Sequence, residues 1–479
     1  MSPSPSPRPP RIADDVVGTF ENVSEEIGLP ISGTQAAWGD FDQDGHVDLA
    51  IGGALYRNKG DGTFAAVEGF SASAGVWGDF DNDGRPDYYV LGGKGRLLRN
   101  LGDGRFEERT IPPNVHEMSK AAAWGDADND GFVDLYVTNY EIWPTRAFPD
   151  LLYMNRGDGT FAEPDVYPAK WKWRARGVNW SDFDNDGDQD IYVSNYRLQP
   201  NQFWINDGKG WFTDQAKAYG VLGTDDERHI NASSDTPRYN ASGHTIGSCF
   251  GDLNNDGHID LVVVNFSHPP AFQDRTMVCI NTGPPTYRFT NLNEGDAAGV
   301  HWQESYAKGA LGDYDNDGDL DLYITTVYSG DNGTLFENDG TGRFTDVGDE
   351  TGTRGGNGYG VAWADYDNDG DLDLLTGGRL MRNRGNNHAW VRVKAVGHGR
   401  SNRGAVGARV TVHAGNRTYV REIRAGNSGN QNDPYAHFGL AGHEEKITIE
   451  VRFPSGRVVS VETWPRQLVT IEENQAVGH

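Results

Sequence analysis

A chain of 479 residues is long enough for two or more domains, and 63 glycines with 23% charged and 11% aromatic residues describe a turn-rich globular protein. A formal net charge of -28 argues against a nucleic-acid binder, whose target needs a basic face, and no apolar run approaches the ~18 residues of a membrane span. Two cysteines, Cys249 and Cys279, exclude a disulfide framework.

Residues 1–17 are a Pro/Ser tail, expected to be disordered and without the apolar stretch of a secretory signal. If Met1 is the true start the expectation is a cytoplasmic protein; if the sequence is truncated, a secreted one. From residue 18 a repeat begins. Its core is Asp40-Phe-Asp-Gln-Asp-Gly-His-Val-Asp48, a D-x-[DN]-x-D-G-x-x-D unit that returns six times at intervals of 39, 47, 56, 70, 61 and 52 residues. The acidic positions are Asp40, Asp42, Asp44 and Asp48; Asp79, Asp81, Asp83 and Asp87; Asp126, Asp128, Asp130 and Asp134; and Asp182, Asp184, Asp186 and Asp190. They continue with Asp252, Asn254, Asp256 and Asp260; Asp313, Asp315, Asp317 and Asp321; and Asp365, Asp367, Asp369 and Asp373.

Alternate residues of a tight loop can aim carboxylates at one point while glycine supplies the turn, and Ca2+ takes six to eight oxygen ligands. One copy alone could be an acidic surface turn; seven in the same register read as about seven calcium sites, mainly structural. The seventh position should offer only its carbonyl, and its side chain varies freely: His46, Arg85, Phe132, Asp188, His258, Asp319 and Asp371. An EF-hand would need flanking helices, whereas Val47-Asp-Leu-Ala-Ile51 and its counterparts are strand-like. Seven bound ions would bring the net charge to about -14, so the acidity is a metal-binding feature.

Around each loop the same template recurs. A small-residue strand ends in Trp-Gly (Trp38, Trp77, Trp124, Trp180 and Trp363, with Phe250 and Leu311 in two copies), and a third strand ends in Asn. A Gly-x-x-x-Phe turn leads to a fourth strand. Four short strands at such a period predict a propeller blade. The seventh copy lacks its fourth strand, and Gly18-Thr-Phe20 supplies the missing signature, so the N-terminal strand is expected to close the ring. Residues 18–387 therefore read as a seven-bladed, all-β propeller. Residues 388–473 alternate as short strands between glycine-rich turns and predict a small antiparallel β-sandwich, with 474–479 as a tail.

These repeats resemble FG-GAP/VCBS repeats of integrin-type propellers. The C-terminal part resembles the ASPIC/UnbV domain at Ser401-Asn-Arg-Gly-Ala-Val-Gly-Ala-Arg409, His437-Phe-Gly-Leu440 and Val451-Arg-Phe-Pro-Ser-Gly456. The combination resembles the cartilage acidic protein family and its bacterial relatives, with Phe453 where the family usually has Trp. The resemblance implies a calcium-bearing propeller and leaves the chemistry open.

On the face opposite the calcium loops, blades 3–6 carry the longer connections. Strands leaving that face bring Lys120, Arg174, Arg176, His244, Lys308 and Tyr359 toward the channel mouth, with Glu117 and Glu304 nearby. Trp143, Trp171, Trp173, Tyr140, Tyr196, Phe266, Trp302 and Tyr328 lie alongside. Such cations suit a carboxylate or enolate oxygen, and Glu304 or His244 could move a proton. Solvated rim charges and aromatics packed between blades are the plainer alternative. Two functions follow: a calcium-stabilised module binding a small organic ligand or a protein partner, or a calcium-dependent cyclase, isomerase or lyase using Lys120, Arg176, His244, Glu304, Lys308 and Tyr359 on a polyketide- or terpenoid-like substrate. A Ser or Cys hydrolase is disfavoured, since no Gly-x-Ser-x-Gly elbow occurs and both thiols fall within strands of one blade.

Overall fold

The computed structural model describes residues 19–29, 35–114, 116–143, 146–162, 172–223, 242–269 and 274–475. The N-terminal tail, Trp171 and the last four residues lie outside these ranges.

First strands rich in Ala and Gly open seven antiparallel sheets in the repeat region among the described residues. Their first strands are Ala36–Gly39, Gly75–Gly78, Ser119–Gly125, Ala175–Ser181, Thr245–Gly251, Tyr306–Gly312 and Val361–Ala364. Each touches the next in chain order, and the last touches the first. Phe20–Asn22 forms the outer strand of the last sheet, with Phe20 opposite Asn383. The third sheet is thinner: its outer strand reduces to one bridge between Asn155 and Phe161.

The Trp-Gly signature now has a cause. A Cβ on Gly125 would lie 2.3 Å from the Trp180 ring, and one on Gly39, Gly78 or Gly312 would lie 2.7–2.8 Å from Trp77, Trp124 or Trp363. Each glycine is a flat seat for the tryptophan of the following sheet. That indole donates back to the preceding sheet: Trp77 to the Ala37 carbonyl, Trp180 to Ala123 and Trp363 to Ala310.

The asparagine ending each third strand stitches the sheets together. Asn100 Nδ2 donates to its own Pro86 carbonyl and to Phe41 in the preceding loop; Asn155 reaches Phe80, Asn206 reaches Ala127 and Asn281 reaches Phe183. Asn338 reaches Leu253, Asn383 reaches Tyr314, and Asn58 reaches Tyr366, which joins the first sheet to the last.

The C-terminal domain pairs a three-stranded sheet with a four-stranded one around an apolar core. It departs from the expected antiparallel sandwich in one pair: Trp390–Val396 runs parallel to Gln467–Glu472. The chain between them crosses through the other sheet and returns in the same direction, the connection a parallel pair requires. Ala436–Gly439 adds a strand not anticipated from the sequence.

Candidate functional sites

Two sites lie at opposite ends of the first strands. At one end are the aspartate loops. Glycine at the sixth position holds φ between +87° and +101° in all seven, a region closed to most side chains. The fourth position is also left-handed, which explains why Asn recurs there. The fifth carboxylate accepts the N–H of the seventh residue, as Asp44 does from His46, which curls the loop around its acidic positions. The ninth accepts backbone N–H groups, as Asp48 does from Phe41 and Asn58; Asp190 takes only Asn206, and its Oδ2 is buried without a protein partner among the described residues.

Carboxylate oxygens of Asp40, Asp42 and Asp48 lie within 4.8 Å of one another, as do those of Asp79, Asp81 and Asp87 and of Asp126, Asp128 and Asp134. The same holds for Asp182, Asp184 and Asp186 and for Asp313, Asp315 and Asp321, with a sixth such group among the described residues. Several of these oxygens are buried without a protein partner, among them Oδ1 of Asp40, Asp42, Asp128, Asp182, Asp184, Asp313 and Asp367. Burial pushes Asp48 and Asp87 up to about 9, and Asp134, Asp190, Asp260, Asp321 and Asp373 well above the usual carboxylate range. Buried anions with vacant lone pairs need a cation, and an all-oxygen donor set suits a hard one. These groups could hold metal ions.

Seventh-position side chains are not idle, contrary to the reading that they vary because only the carbonyl matters. Asp188 accepts from Asn129, Asp319 from Asn255 and Asp371 from Asn316, so the side chain serves the neighbouring loop.

The C-terminal domain covers this face. Tyr435 donates to Asp40 Oδ2 at 2.6 Å, Arg452 to Asp182 Oδ2 at 2.6 Å, the Gly439 N–H to Asp313 Oδ2 at 2.8 Å and Arg392 to Asp365 Oδ2 at 2.9 Å. It thus holds one oxygen of the first aspartate in four loops. From this domain the segment 424–433 enters the channel and meets every first strand. Gln431 bonds to Ala36 and Trp77, Ala425 to Trp124, Ser428 to Val178 and Ser248, Asn427 to Gly309, and Asp433 to Trp363. Its Asn- and Gly-rich sequence is the legible sign of a backbone-pairing plug, and the sequence reading passed over it.

At the other end a cavity of about 210 Å3 is lined by Gln35, Ser119, Lys120, Arg176, Ile246, Lys308 and Tyr359. Four of the six sequence candidates meet here. Register shifts interrupt the first strands of the third to sixth sheets at Lys120, Arg176, Ile246 and Ala307–Lys308. A bulge re-aims the extra side chain, and here the shifts fall at the residues lining the cavity. Lys308 is fully buried and donates to the Ser428 carbonyl. Burial, then Arg176 and Lys120, push its ammonium down to about 7. Arg176 sits 4.2 Å from the Tyr140 ring centre and 5.0 Å from that of Tyr196.

His244 and Glu304 are not part of this lining. His244 is buried behind it, its Nδ1 2.9 Å from Asp274 Oδ2 and its ring 4.8 Å from that of His268, whose Nε2 lies 2.6 Å from the Tyr196 hydroxyl. Sequence reading missed Asp274, which lies 30 positions away on another strand connection. Glu304 contributes its carbonyl to the Ser267 N–H. Arg174 pairs with Glu141 at 2.6 Å, Trp302 donates to Ser267, and Trp143 and Tyr328 are exposed. Both thiols are buried within one sheet, and burial pushes Cys249 up to about 12, so neither is a nucleophile.

The FG-GAP-like repeat family matches residues 79–137, 149–193, 182–263, 252–324 and 313–376, and the ASPIC and UnbV family matches 397–478. Cartilage acidic protein 1 of Homo sapiens is 29% identical over 305 residues, covering 60% of this chain and 42% of the relative. The Mus musculus protein is 27% identical over 333 residues, covering 65% and 47%. The chain thus spans under half the length of these relatives. Among solved structures, an Agrocybe aegerita lectin that recognises non-reducing terminal N-acetylglucosamine aligns at TM-score 0.42 and 18% identity, over 65% of this chain and 79% of its own. A Bacillus licheniformis rhamnogalacturonan lyase aligns at 0.41 and 13%, over 74% and 72%. The chain belongs to the FG-GAP-like repeat family, carries a C-terminal ASPIC and UnbV domain, and is similar to cartilage acidic protein 1.

Proposed function

We propose that this protein is a seven-bladed propeller held together by calcium ions in its aspartate loops, and that it binds a small organic molecule in the cavity at the uncovered end of its channel. One observation carries the ligand reading: in the third to sixth sheets, strand bulges fall at the residues lining one cavity, Lys120, Arg176, Ile246 and Lys308. Packing alone gives no reason to collect three cations at one point. Calcium is architectural in this reading, because the loops face the C-terminal domain and the cavity lies at the other end of the strands. Asp, carbonyl and water oxygens would complete each ion's shell. The test is thermal denaturation of the calcium-loaded chain against a library of small organic molecules. Hits should lose their effect in Arg176→Gln and keep it in a variant of exposed Trp211, which lies at the aspartate-loop end of its sheet.

A second reading, an acid–base enzyme of cyclase, isomerase or lyase type, is supported by Lys308. A buried amine brought down to about 7 can both accept and donate a proton near neutrality. Turnover of a bound ligand, lost in Lys308→Met by more than its loss of affinity explains, would favour catalysis over binding alone.

A further inference from the structure

We propose that the channel-mouth cavity is built for a small organic acid, whose carboxylate is taken by Arg176, Lys120 and Lys308 while its apolar part lies against Ile246 and Tyr359. This rests on the reading of the cavity as a ligand site. Three cations line it, and none of its described lining residues is acidic. Two of the nearby acids among the described residues are committed elsewhere: Glu141 to Arg174 and Arg197 at 2.6 and 3.0 Å, and Asp274 to His244. Burying three cations together is costly, and a chain of net charge -28 has many carboxylates that could have been placed beside them. Like charges in a low-dielectric site repel unless an anion enters.

The geometry specifies what kind of anion. The Arg176 guanidinium lies over Tyr140 and Tyr196 and hydrogen-bonds to the side chains of Tyr140 and Tyr359, while its Nε is buried without a partner among the described residues, the position left for a ligand oxygen. Lys120 Nζ lies 5.7 Å from the same Tyr140 ring, so both cations look past one aromatic wall. A planar fork matches the two oxygens of a carboxylate. A volume of 210 Å3 holds about seven waters at ~30 Å3 each, more than an inorganic anion displaces. It falls short of the ~300 Å3 at which drug-sized sites begin. Behind it Tyr140, Tyr196, Ile246, Phe266 and Ala307 form one apolar cluster. An acid of single-ring size fits both halves.

The test is isothermal titration of the calcium-loaded full chain at low salt with benzoate, its neutral isostere benzamide, and inorganic phosphate. Benzoate should bind one per chain, about tenfold or more tighter than benzamide, and Lys120→Met and Arg176→Gln should each weaken it about tenfold. Melting curves show whether each variant is folded, and Lys120, half-buried on the rim, is the safer of the two. Benzamide binding as tightly as benzoate would overturn the anion assignment and leave the ligand site standing. Phosphate binding in preference to benzoate would overturn the organic-acid class. No binding of any probe would overturn both this inference and the ligand reading.

Discussion

Asn100 is fully buried and spends its whole amide: Nδ2 on two carbonyls, one in the preceding sheet, and Oδ1 on the Gly102 N–H. Asn100→Ala would strand three backbone groups, one fully buried and two partly so, and should cost about 2–4 kcal/mol in a denaturant titration. Lys308 makes a pH prediction. Unfolded, it titrates at its ordinary 10.5; folded, it lies at about 7. Between those values the unfolded chain holds more protons, so this residue makes stability rise with pH across that window. Below about 7 the cost of burying the charged amine is present in full. The stability of the wild type relative to Lys308→Met should therefore climb between pH 7 and pH 10 in urea melts, and a flat difference would contradict the burial. At this scale the aspartates, the terminal asparagines, Lys120, Arg176, Lys308 and Tyr359 were all visible in the repeat. Partners were not: Asp274 for His244, and Ser428 for Lys308, are joined only by folding, and no local pattern announces them.

Between elements, the seat-and-ring contact sets how one sheet lies on the next. Gly125→Ala would place its methyl 2.3 Å from Trp180, and overpacking of this kind should cost about 1–3 kcal/mol, read as a lowered melting temperature. Gly78→Ala meets Trp124 in the same way and should behave alike, whereas Gly62→Ala, with open space around its Cβ, should lose only the cost of its φ of +80°. Trp-Gly spacing revealed the period of the repeat, and Gly18-Thr-Phe20 marked the strand that pairs with Arg379–Asn383, because both are local signatures. Bulges at Lys120, Arg176, Ile246 and Lys308 were not legible, since an extra residue in a strand has no composition of its own. The channel plug escaped for a related reason: 424–433 looks like any Asn/Gly loop until seven strand edges are seen to accept it.

For the molecule as a whole, the first aspartate of four loops has one oxygen held by the C-terminal domain, and in three of them the other is left without a partner. Filling the loops should therefore steady the domain that covers them, and with it the plug. Limited proteolysis should cut within 424–433 faster in chelator than in calcium; equal rates would separate docking from the ions. The most direct measurement is calcium titration of the chelator-stripped full chain, with melting temperature followed in parallel. Each site filled at a hundred times its Kd adds about 2.7 kcal/mol to the folded state. The prediction is uptake of about seven ions per chain, one per aspartate loop, and a steep rise in melting temperature. An unchanged melt with no calcium taken up would contradict it.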